Sequence, residues 1–437
     1  MSSPQDLCVL AVNAGSATLK FALYPVHGVT ARDAAGGACA DAAIASGSYD
    51  GLQPRSAGAA ERVISLDWRG TDGQRHKAEL ACANPLDATN SSGVASPFAI
   101  ALAHLPSVLA QALPAGVRVA AVAHRIVHGG GRYSDSVQLD AATLAELASF
   151  SPLAPLHQPH NLHGVQAFMS TTAPGLTGLP QIGCFDTGFH ATLPREETLF
   201  ALPAHEPDLA GVQRYGFHGL SYRWLAASLP RLEPDRHAGR WLLCHLGSGA
   251  SLCAIQGGQS IATTMGFSAL DGLMMGTRCG ALDPGVLLHL LRAGWTADRL
   301  EKLLYKDSGL AGVSGISADM RTLRASKDPR AGRAISLFTH RVLRESGALI
   351  ACMGGLDGIV YTGGIGEHDI EMRAELSQGL AHLGVHIDGE RNAEVSGDAP
   401  AAIHADDSRV RVWVVPTDEG RVAAGDAAAW LLRQAQA

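Results

Sequence analysis

One short segment near the start of the chain combines amide, glycine and hydroxyl groups as a phosphate-binding turn does. It reads Asn13-Ala-Gly-Ser16 and continues through Thr18 to Lys20. A tight turn without bulky side chains exposes backbone N–H groups to an anion, and hydroxyl groups add further donors. Alternate residues of a strand share a face, so Ser16, Thr18 and Lys20 would line the path of a phosphate. An ordinary hairpin with a solvated lysine is the alternative.

A similar segment recurs in the second half of the chain. His245-Leu-Gly-Ser248 follows the apolar residues 240–244 and leads into another apolar stretch. A supersecondary unit that appears once in each half is typical of two related domains. Two matches this short also arise by chance, so the pattern alone leaves a duplication open.

Two arginines lie in glycine-rich surroundings, each at the end of an apolar stretch. Arg125 precedes Ile-Val-His-Gly-Gly-Gly, and Arg278 lies in Gly-Thr-Arg-Cys-Gly. The planar fork of a guanidinium suits a carboxylate or a transferring phosphoryl group. A structural arginine paired with an acidic neighbour is the alternative for each.

Further segments carry candidate chemistry. Asp186 follows an apolar stretch, where the sites of α/β proteins are usually built, and His218 lies among glycines and aromatic residues. The glycine-rich turn at 363–367 also follows an apolar stretch, and such a turn packs flat against an adenine or a ribose. Asp418 and Glu419 would either reach a hydrated Mg²⁺ or simply cap the last helix.

Other classes of site and protein are excluded by what the sequence lacks. The histidine-dense stretches at 124–128 and 157–163 contain no HExxH motif, and prolines interrupt the second one, so we predict no zinc site. No GxxxxGK[ST] motif and no protein-kinase motif set is present, which excludes those two kinase types. A net charge of -7 without a basic run gives no reason to expect nucleic acid.

The cysteines and the N-terminal residues bear on cellular location. Eight cysteines are scattered without a CxxC motif, as in a reduced, cytoplasmic protein. The apolar run at 7–12 is too short to span a membrane and lacks a basic flank, so we expect neither a signal peptide nor membrane attachment.

Strand and helix patterns alternate along most of the chain, which predicts an α/β protein. Residues 28–60 are rich in Ala, Gly and Ser and are expected to form a surface excursion, and residues 69–73 read as a hairpin turn between two strands. Strands are predicted at 6–13, 18–24, 118–123, 179–185, 240–246, 251–256, 357–362 and 409–415. Helices are predicted at 97–112, 140–149, 160–171, 284–292, 296–305, 329–352 and 367–382, near His218 and at the C-terminus.

Taken in order, the motifs resemble those of the acetokinase family from residue 7 to the C-terminus, except at 28–95. They read N-A-G-S-x-T-L-K-F, H-R-I-V-H-G-G, L-A-P-L-H, F-D-T-x-F-H, Y-G-F-H-G, H-L-G-x-G-A-S, T-x-M-G-F, G-T-R-C-G-x-L-D-P-G, G-G-I-G-E and T-D-E. The resemblance implies reversible, ATP-dependent phosphorylation of acetate to acetyl phosphate by direct in-line transfer, with propionate as the alternative substrate.

The resemblance also implies a fold and a domain division. The fold is the duplicated βββαβαβα unit of the ribonuclease H-like superfamily, shared with sugar kinases, actin and Hsp70-type ATPases. The implied domains are 1–186 with 421–437, carrying an insertion at about 28–60, and a nucleotide-binding domain at 187–420. A cytoplasmic homodimer is implied as well. A sugar kinase or a chaperone ATPase would share the fold, but the first has less use for two acceptor arginines and the second needs a peptide-binding domain.

Residue roles follow from the matched motifs. Asn13 and Glu419 would hold Mg²⁺ or Mn²⁺, and Arg125 and Arg278 would bind the carboxylate and steady the phosphoryl group. His218 would donate to that group in the transition state, and Asp186 would orient the site. The residues matched to ATP or ADP binding are Ser16, Thr18, Lys20, His245, Gly247, Ser248, Gly249, Asp319, Met320, Arg321, Gly364, Ile365, Gly366 and Glu367. The residues matched to the wall around the substrate's methyl group are Val127, Leu156 and Phe217.

Several positions depart from the family pattern, and of these Thr18 in place of Ser is a conservative change. Ser248 stands where the family usually has Asn, and Tyr222 ends a Leu-Ser-Tyr triplet where the family commonly has T/S-S/T-H. Ala269 replaces a common Pro on the pocket wall, and the lost bulk would admit propionate.

Overall fold

The computed structural model describes residues 6–15, 17–26, 42–52, 62–82, 96–203 and 205–436. Ser16 and most of the region at 28–60 lie outside these residues. The chain divides into two units, the first formed by Met1–Gly188 with Asp418–Ala437 and the second by Phe189–Thr417. None of the helices in the described part of the chain is long and apolar enough to cross a membrane.

The described strands and helices are numbered here in chain order. The strands are β1 Leu7–Ala14, β2 Thr18–Pro25, β3 Ala45–Asp50, β4 Arg62–Arg69, β5 Arg75–Cys82, β6 Arg118–Ile126, β7 Val137–Gln138, β8 Gln181–Phe185, β9 Arg240–Leu246, β10 Ala250–Gln256, β11 Gln259–Thr263, β12 Gly358–Thr362, β13 Ala401–Ala402 and β14 Arg411–Val414. The helices are α1 Pro97–Ala112, α2 Ala141–Ser149, α3 Gln158–Ser170, α4 Arg195–Thr198, α5 Gly219–Leu232, α6 Pro284–Arg292, α7 Ala297–Lys306, α8 Gly309–Ser314, α9 Met320–Ala325, α10 Pro329–Met353, α11 Gly363–His368, α12 Ile370–Gly379, α13 Gly389–Ala393 and α14 Glu419–Gln436.

The sheet of the first unit has the order β5-β4-β3-β2-β1-β6-β8-β7. Strand β2 runs antiparallel to β1 and β3, whereas β6 runs parallel to β1 and β8. Central strand β1 is apolar along nearly its whole length because both of its faces are covered. Leu10, Val12 and Leu19 belong to a core that also includes buried side chains of α1.

The sheet of the second unit has the order β11-β10-β9-β12-β14-β13. Strand β10 runs antiparallel to β9 and β11, and β12 runs parallel to β9 and β14. The five-strand order β11-β10-β9-β12-β14 therefore repeats β3-β2-β1-β6-β8 of the first unit, in order and in direction. The predicted duplication is confirmed, and each Gly-Ser turn joins the first two strands of its unit.

Two predictions about elements were wrong. Residues 45–50, inside the expected surface excursion, form β3, which pairs with β2 and β4. Its small residues conceal a strand with two buried side chains, Ala45 and the fully covered Tyr49. The single helix expected at 367–382 is instead α11 followed by α12, because the carboxylate of Asp369 accepts the N–H of Met372 and begins a new helix.

The burial of β3 leads to a stability prediction. Replacing Tyr49 by Ala removes a ring that contacts Phe21 and His104, so the first unit should lose about 3–5 kcal/mol of unfolding free energy. Denaturant unfolding measures this loss, with Ser46→Ala, at an exposed β3 position, as the matched control. A Tyr49→Ala midpoint equal to that of the control would mean that β3 is dispensable.

Candidate active site

A buried ion cluster in the first unit surrounds Arg125, at the end of β6. Its Nε lies 3.0 Å from Oδ1 of Asp186, and its Nη2 lies 2.7 Å from Oδ2. Its Nη1 lies 2.6 Å from Oε2 of Glu419. Asp186 follows β8 and is 1% exposed, and Glu419 is the first residue of α14. Burial lowers the pKa of Arg125, but the charges of Asp186 and Glu419 outweigh it and the net pKa is raised.

Two amide side chains of α3 hold the loop that follows Arg125. Asn161 accepts the N–H of Val127 at 3.0 Å and donates to the carbonyl of Ala14 at 2.7 Å. Gln158 accepts the N–H of His128 at 3.2 Å and donates to its carbonyl at 3.0 Å. Asn161 thus ties the end of β1 to the Arg125 loop. Sequence reasoning missed both amides, since an Asn or Gln inside a helix carries no local signal of what it binds.

The end of β1 and the start of β2 carry the other matched residues of this unit. Asn13 is the penultimate residue of β1 and pairs in register with Lys20, which is exposed, and Thr18 begins β2. The amide oxygen of Asn13 and the carboxylate of Glu419 are hard donors of the kind that Mg²⁺ binds, usually with several waters. These residues therefore fit a magnesium ion. Asp418 has a different partner, because its Oδ1 accepts from Tyr24 at 2.6 Å and from the N–H of Arg421 at 3.0 Å.

In the second unit, two stacked histidines lie beside the Gly-Ser turn. The rings of His218 and His245 are 4.2 Å apart at 21°. His218 is the only non-glycine residue of the described chain with a positive φ, at 58°. A Cβ at Gly249 would lie 3.3 Å from Nε2 of His218 and 3.9 Å from Nη1 of Arg278. Both side chains therefore lie close to the backbone of this turn, and a Cβ at Gly249 would crowd the ring of His218.

Arg278 is held from one side by main chain. Its Nη1 donates to the carbonyl of Ala269 at 2.9 Å and lies 3.5 Å from the sulfur of Met275. Burial lowers the pKa of Arg278, although Tyr305 acts in the opposite direction. The two candidate arginines thus differ in the net direction of the pKa, because the carboxylates outweigh burial at Arg125 whereas burial prevails at Arg278.

Two glycine-rich turns meet at the carboxyl ends of the parallel strands β9 and β12. Gly363 has a φ of 78°, and a Cβ there would lie 2.7 Å from the carbonyl of Leu246, so only glycine allows this approach. A cavity of about 840 Å³ opens beside the turns. Its lining residues are Gly247, Ser248, Ala318, Asp319, Met320, Arg321, Arg324, Ala325, Gly364, Ile365, His368, Asp369, Ile370 and Glu371. Seven residues matched to nucleotide binding line it together: Gly247, Ser248, Asp319, Met320, Arg321, Gly364 and Ile365.

Other matched residues brace this cavity. Oε1 of Glu367 accepts the N–H of Gly363 at 2.8 Å and the N–H of Thr417 at 3.1 Å. Arg373 is fully buried and donates to the carbonyls of Gly366 and Glu367 at 3.0 and 2.9 Å. Through these two hydrogen bonds the buried arginine holds the end of α11 in place. Sequence reasoning did not single it out.

Of the residues matched to the methyl pocket, two lie in the first unit and one lies in the second. Val127 is 9% exposed and Leu156 is half-buried in the first unit, whereas Phe217 is 1% exposed in the second. The carbonyl of Phe217 accepts a hydrogen bond from Nε2 of His190 at 2.9 Å. His190 therefore supports the residue that precedes His218.

Comparison with known proteins identifies the family. The model of the acetokinase family matches residues 8–425. The chain belongs to the acetokinase family. An acetate kinase of Rhodopseudomonas palustris is 45% identical over 413 residues, which cover 94% of this chain and 95% of that protein. An acetate kinase of Methylocella silvestris is 40% identical over 417 residues, with the same coverage of 94% and 95%.

Solved structures agree with the family and with the fold. The acetate kinase of Porphyromonas gingivalis has a TM-score of 0.79 and 32% identity, covering 97% of this chain and 99% of that one. A propionate kinase of Francisella tularensis also has a TM-score of 0.79, with 28% identity and coverage of 96% and 98%. The expected fold of the sugar kinase and actin superfamily is confirmed. Acetokinases are phosphotransferases with a carboxyl group as acceptor, and they use ATP.

Three histidines in the matched motifs are buried in neutral form. Nε2 of His124 contacts the side-chain oxygen of Gln181 at 2.7 Å, and Nδ1 of His128 accepts the N–H of Gly130 at 2.8 Å. Burial lowers the pKa of His124, His128 and His190 to about 4 in each case. Within the described residues, no three His, Cys, Asp or Glu side chains cluster so as to hold a metal.

These lowered pKa values predict a pH-dependent stability. The unfolded chain binds a proton at each histidine near pH 6.5, whereas the folded chain does so only near pH 4, so stability should fall as the pH drops through that window. Urea unfolding at pH 7 and pH 5 measures the loss. His124→Gln should lose less stability than wild type between these values, and His163→Gln, at an exposed position of α3, should match wild type. Equal losses in all three proteins would contradict the assignment.

Proposed function

We propose that this chain catalyses the reversible, ATP-dependent phosphorylation of acetate to acetyl phosphate by direct in-line transfer. An oxygen of the acetate attacks the γ-phosphorus, the bond to the β-phosphate oxygen breaks, and ADP leaves. A carboxylate is already a nucleophile at neutral pH, so no general base is needed. The difficulty is that one anion must approach another, so catalysis depends on positioning and on neutralising charge.

The arrangement of Arg125 carries this proposal. Of the five N–H groups of a guanidinium, three are used by Asp186 and Glu419, so each Nη keeps one N–H without an acceptor in the described part of the chain. The side chain is 24% exposed, so these two N–H groups can receive a substrate oxyanion. A fork that is charged, fixed and still able to donate suits a carboxylate acceptor.

The remaining roles extend the proposal to the other matched residues. Arg278 and His218 neutralise the transferring phosphoryl group, and Lys20 donates along the phosphate path. Asn13 and Glu419 would hold Mg²⁺, which supplies positive charge to the phosphates. The cavity lined by Asp319 and Gly364 takes the nucleoside. The second unit thereby serves as the nucleotide-binding domain.

The decisive experiment traps acetyl phosphate as its hydroxamate with ATP, Mg²⁺ and acetate. We expect a signal that depends on all three components. No hydroxamate with acetate, propionate or butyrate would refute the proposal. The kcat/KM values for acetate and propionate measure the substrate preference, because one methylene in an apolar pocket is worth about 1–3 kcal/mol. We propose acetate as the preferred acceptor, and a clear preference for propionate would favour propionate kinase instead.

The two arginines provide a second prediction. Arg125→Ala and Arg278→Ala should each lower kcat by at least about a hundredfold, since each removes a charge-assisted donor in a desolvated site. Arg330→Ala is the matched control, because Arg330 also pairs with a carboxylate, Asp328, but at an exposed helix start. Circular dichroism checks that the variants fold. Near-normal turnover of either folded variant would show that the acceptor site is misplaced.

We further propose a cytoplasmic homodimer. Large apolar side chains at Leu282, Val286, Leu288 and Leu291 are between 39% and 52% exposed on and just before α6, as a subunit interface would require. Buried thiols such as Cys244 and Cys253, whose pKa values are raised by burial, suit a reducing compartment.

A further inference from the structure

Tyr222 is a departure from the family pattern and lies next to the proposed transition-state donor. It is fully buried on α5, four residues after His218, and its backbone N–H bonds to the His218 carbonyl at 3.0 Å. Its hydroxyl makes a short hydrogen bond with the Oγ of Ser251 on β10. The same Oγ lies 2.8 Å from Nδ1 of His218. One serine hydroxyl thus joins the phenol to the imidazole.

We propose that Tyr222 is a positioning residue for His218, and that through Ser251 it holds the imidazole in the tautomer with its proton on Nε2. The proposal rests on the proposed function for its kinetic consequence, but not for the tautomer itself. Tyr222 touches no substrate in this scheme, and its hydroxyl acts on His218 only through Ser251.

The direction of the hydrogen bonds follows from burial. The phenol of Tyr222 keeps its proton, because burial raises its pKa well above 10. A buried O–H without an acceptor is costly, and Ser251 is the one acceptor found for this group among the described residues, so Tyr222 donates to Ser251. Ser251 is also fully buried, and its single proton then points to Nδ1 of His218.

The direction of these hydrogen bonds determines which ring nitrogen of His218 carries the proton. With Nδ1 accepting a hydrogen bond, the proton of the neutral imidazole lies on Nε2. Nε2 is the atom that faces Gly249 of the Gly-Ser turn, near Nη1 of Arg278. A neutral donor is therefore aimed at the phosphate-binding turn before any substrate arrives, and it needs no protonation at neutral pH.

The stacked partner repeats the arrangement, which supports the assignment. Thr417 donates to the Oγ of Ser221 at 3.0 Å, and that Oγ lies 2.9 Å from Nδ1 of His245. The same reasoning gives His245 an Nε2 proton, and a Cβ at Gly247 would lie 4.0 Å from that atom. Two hydroxyl pairs thus orient two parallel rings. The neutral state of both rings also avoids placing like charges 4.2 Å apart.

The left-handed backbone of His218 makes such support necessary. A non-glycine residue at a φ of 58° is strained and persists only where surrounding contacts determine it. The hydroxyl pair fixes the side chain, the Tyr222 N–H fixes the carbonyl, and the bond from His190 to Phe217 fixes the preceding residue. Loss of one hydroxyl should therefore change ring orientation and tautomer before it changes the fold.

The first test reads the tautomer without turnover. Long-range ¹H–¹⁵N NMR of ¹⁵N-histidine-labelled protein distinguishes the two ring nitrogens, and the His218 signals are those lost in His218→Asn. We expect one protonated Nε2 in wild type. In Tyr222→Phe the Ser251 hydroxyl can turn away and accept from Nδ1 instead, so we expect the two nitrogen shifts to move toward each other.

The second test separates positioning from packing. Tyr222→Phe keeps the buried ring and should lower kcat about tenfold, the value of one hydrogen bond, with unchanged KM for acetate and ATP. Tyr361→Phe is the matched control, because Tyr361 is also buried and its hydroxyl contacts Ser377 at 3.4 Å rather than Ser251. This control should keep the wild-type tautomer and a kcat within about twofold. Ser251→Ala should reproduce Tyr222→Phe, and it replaces that variant if Tyr222→Phe does not fold.

Three experimental outcomes would overturn the inference. A wild-type tautomer in Tyr222→Phe, with a kcat equal to that of Tyr361→Phe, overturns the inference, as does a wild-type His218 with its proton on Nδ1. A fall in thermal stability with an unchanged tautomer assigns Tyr222 to packing and overturns it as well. If wild type forms no acyl phosphate, the proposed function fails, whereas the NMR result still decides the tautomer.

Discussion

The paired carboxylates around Arg125 set the constraint on which the first unit depends. A buried guanidinium needs compensating charge, and breaking such a pair leaves an uncompensated ion that costs several kcal/mol. Asp186 and Glu419 supply that charge from the end of β8 and the start of α14. The strand order, which places β6 beside β8, and the return of α14 to this unit are both required to bring the three side chains together.

In the second unit, the side chains beside the Gly-Ser turn contact hydroxyl and main-chain groups, and the ion pair of Asp319 with Arg321 lies at the cavity. His218 and His245 are stacked rings whose Nδ1 atoms contact serine hydroxyls. Arg278 is held by a main-chain carbonyl, and the glycine-rich turns present N–H groups. The two units thus share a fold but support their candidate arginines differently, since carboxylates contact Arg125 and a main-chain carbonyl contacts Arg278.

The sequence predicts the shared core well because its signals are local. Apolar stretches of five to eight residues next to Gly-Ser turns indicate β1, β2, β9 and β10, and the order of motifs indicates the family. The prediction was wrong at β3, where an Ala-Ser-Gly-Ser composition masks a strand that is stabilised by pairing with its neighbours and by one buried ring, Tyr49. The amino-acid composition of a segment indicates its intrinsic strand propensity, whereas the burial of a strand depends on the strands and side chains that pack against it.

Candidate site residues were recognisable where glycine or charge marks them, as at Arg125, Arg278 and the turn at 363–367. The residues that hold these side chains in place could not be recognised from the sequence. Asn161, Ser251 and Arg373 act through contacts with segments that are distant in sequence, and such contacts leave no spacing pattern. Tyr222 was noticed only as a departure from the family motif, and its hydrogen bond to Ser251 gives that departure a physical meaning.

The discontinuity of the first unit also affects how the protein is made. Residues 189–417 form a contiguous unit and can fold as soon as they leave the ribosome, since domains generally fold as units during synthesis. Arg125 emerges early, but Glu419 follows it only after roughly 15–60 s of translation at ordinary bacterial rates. During that interval the nascent chain lacks the second carboxylate of the ion cluster. Assembly of the complete ion cluster is therefore one of the last events in the biosynthesis of this chain, after its nucleotide cavity has had time to form.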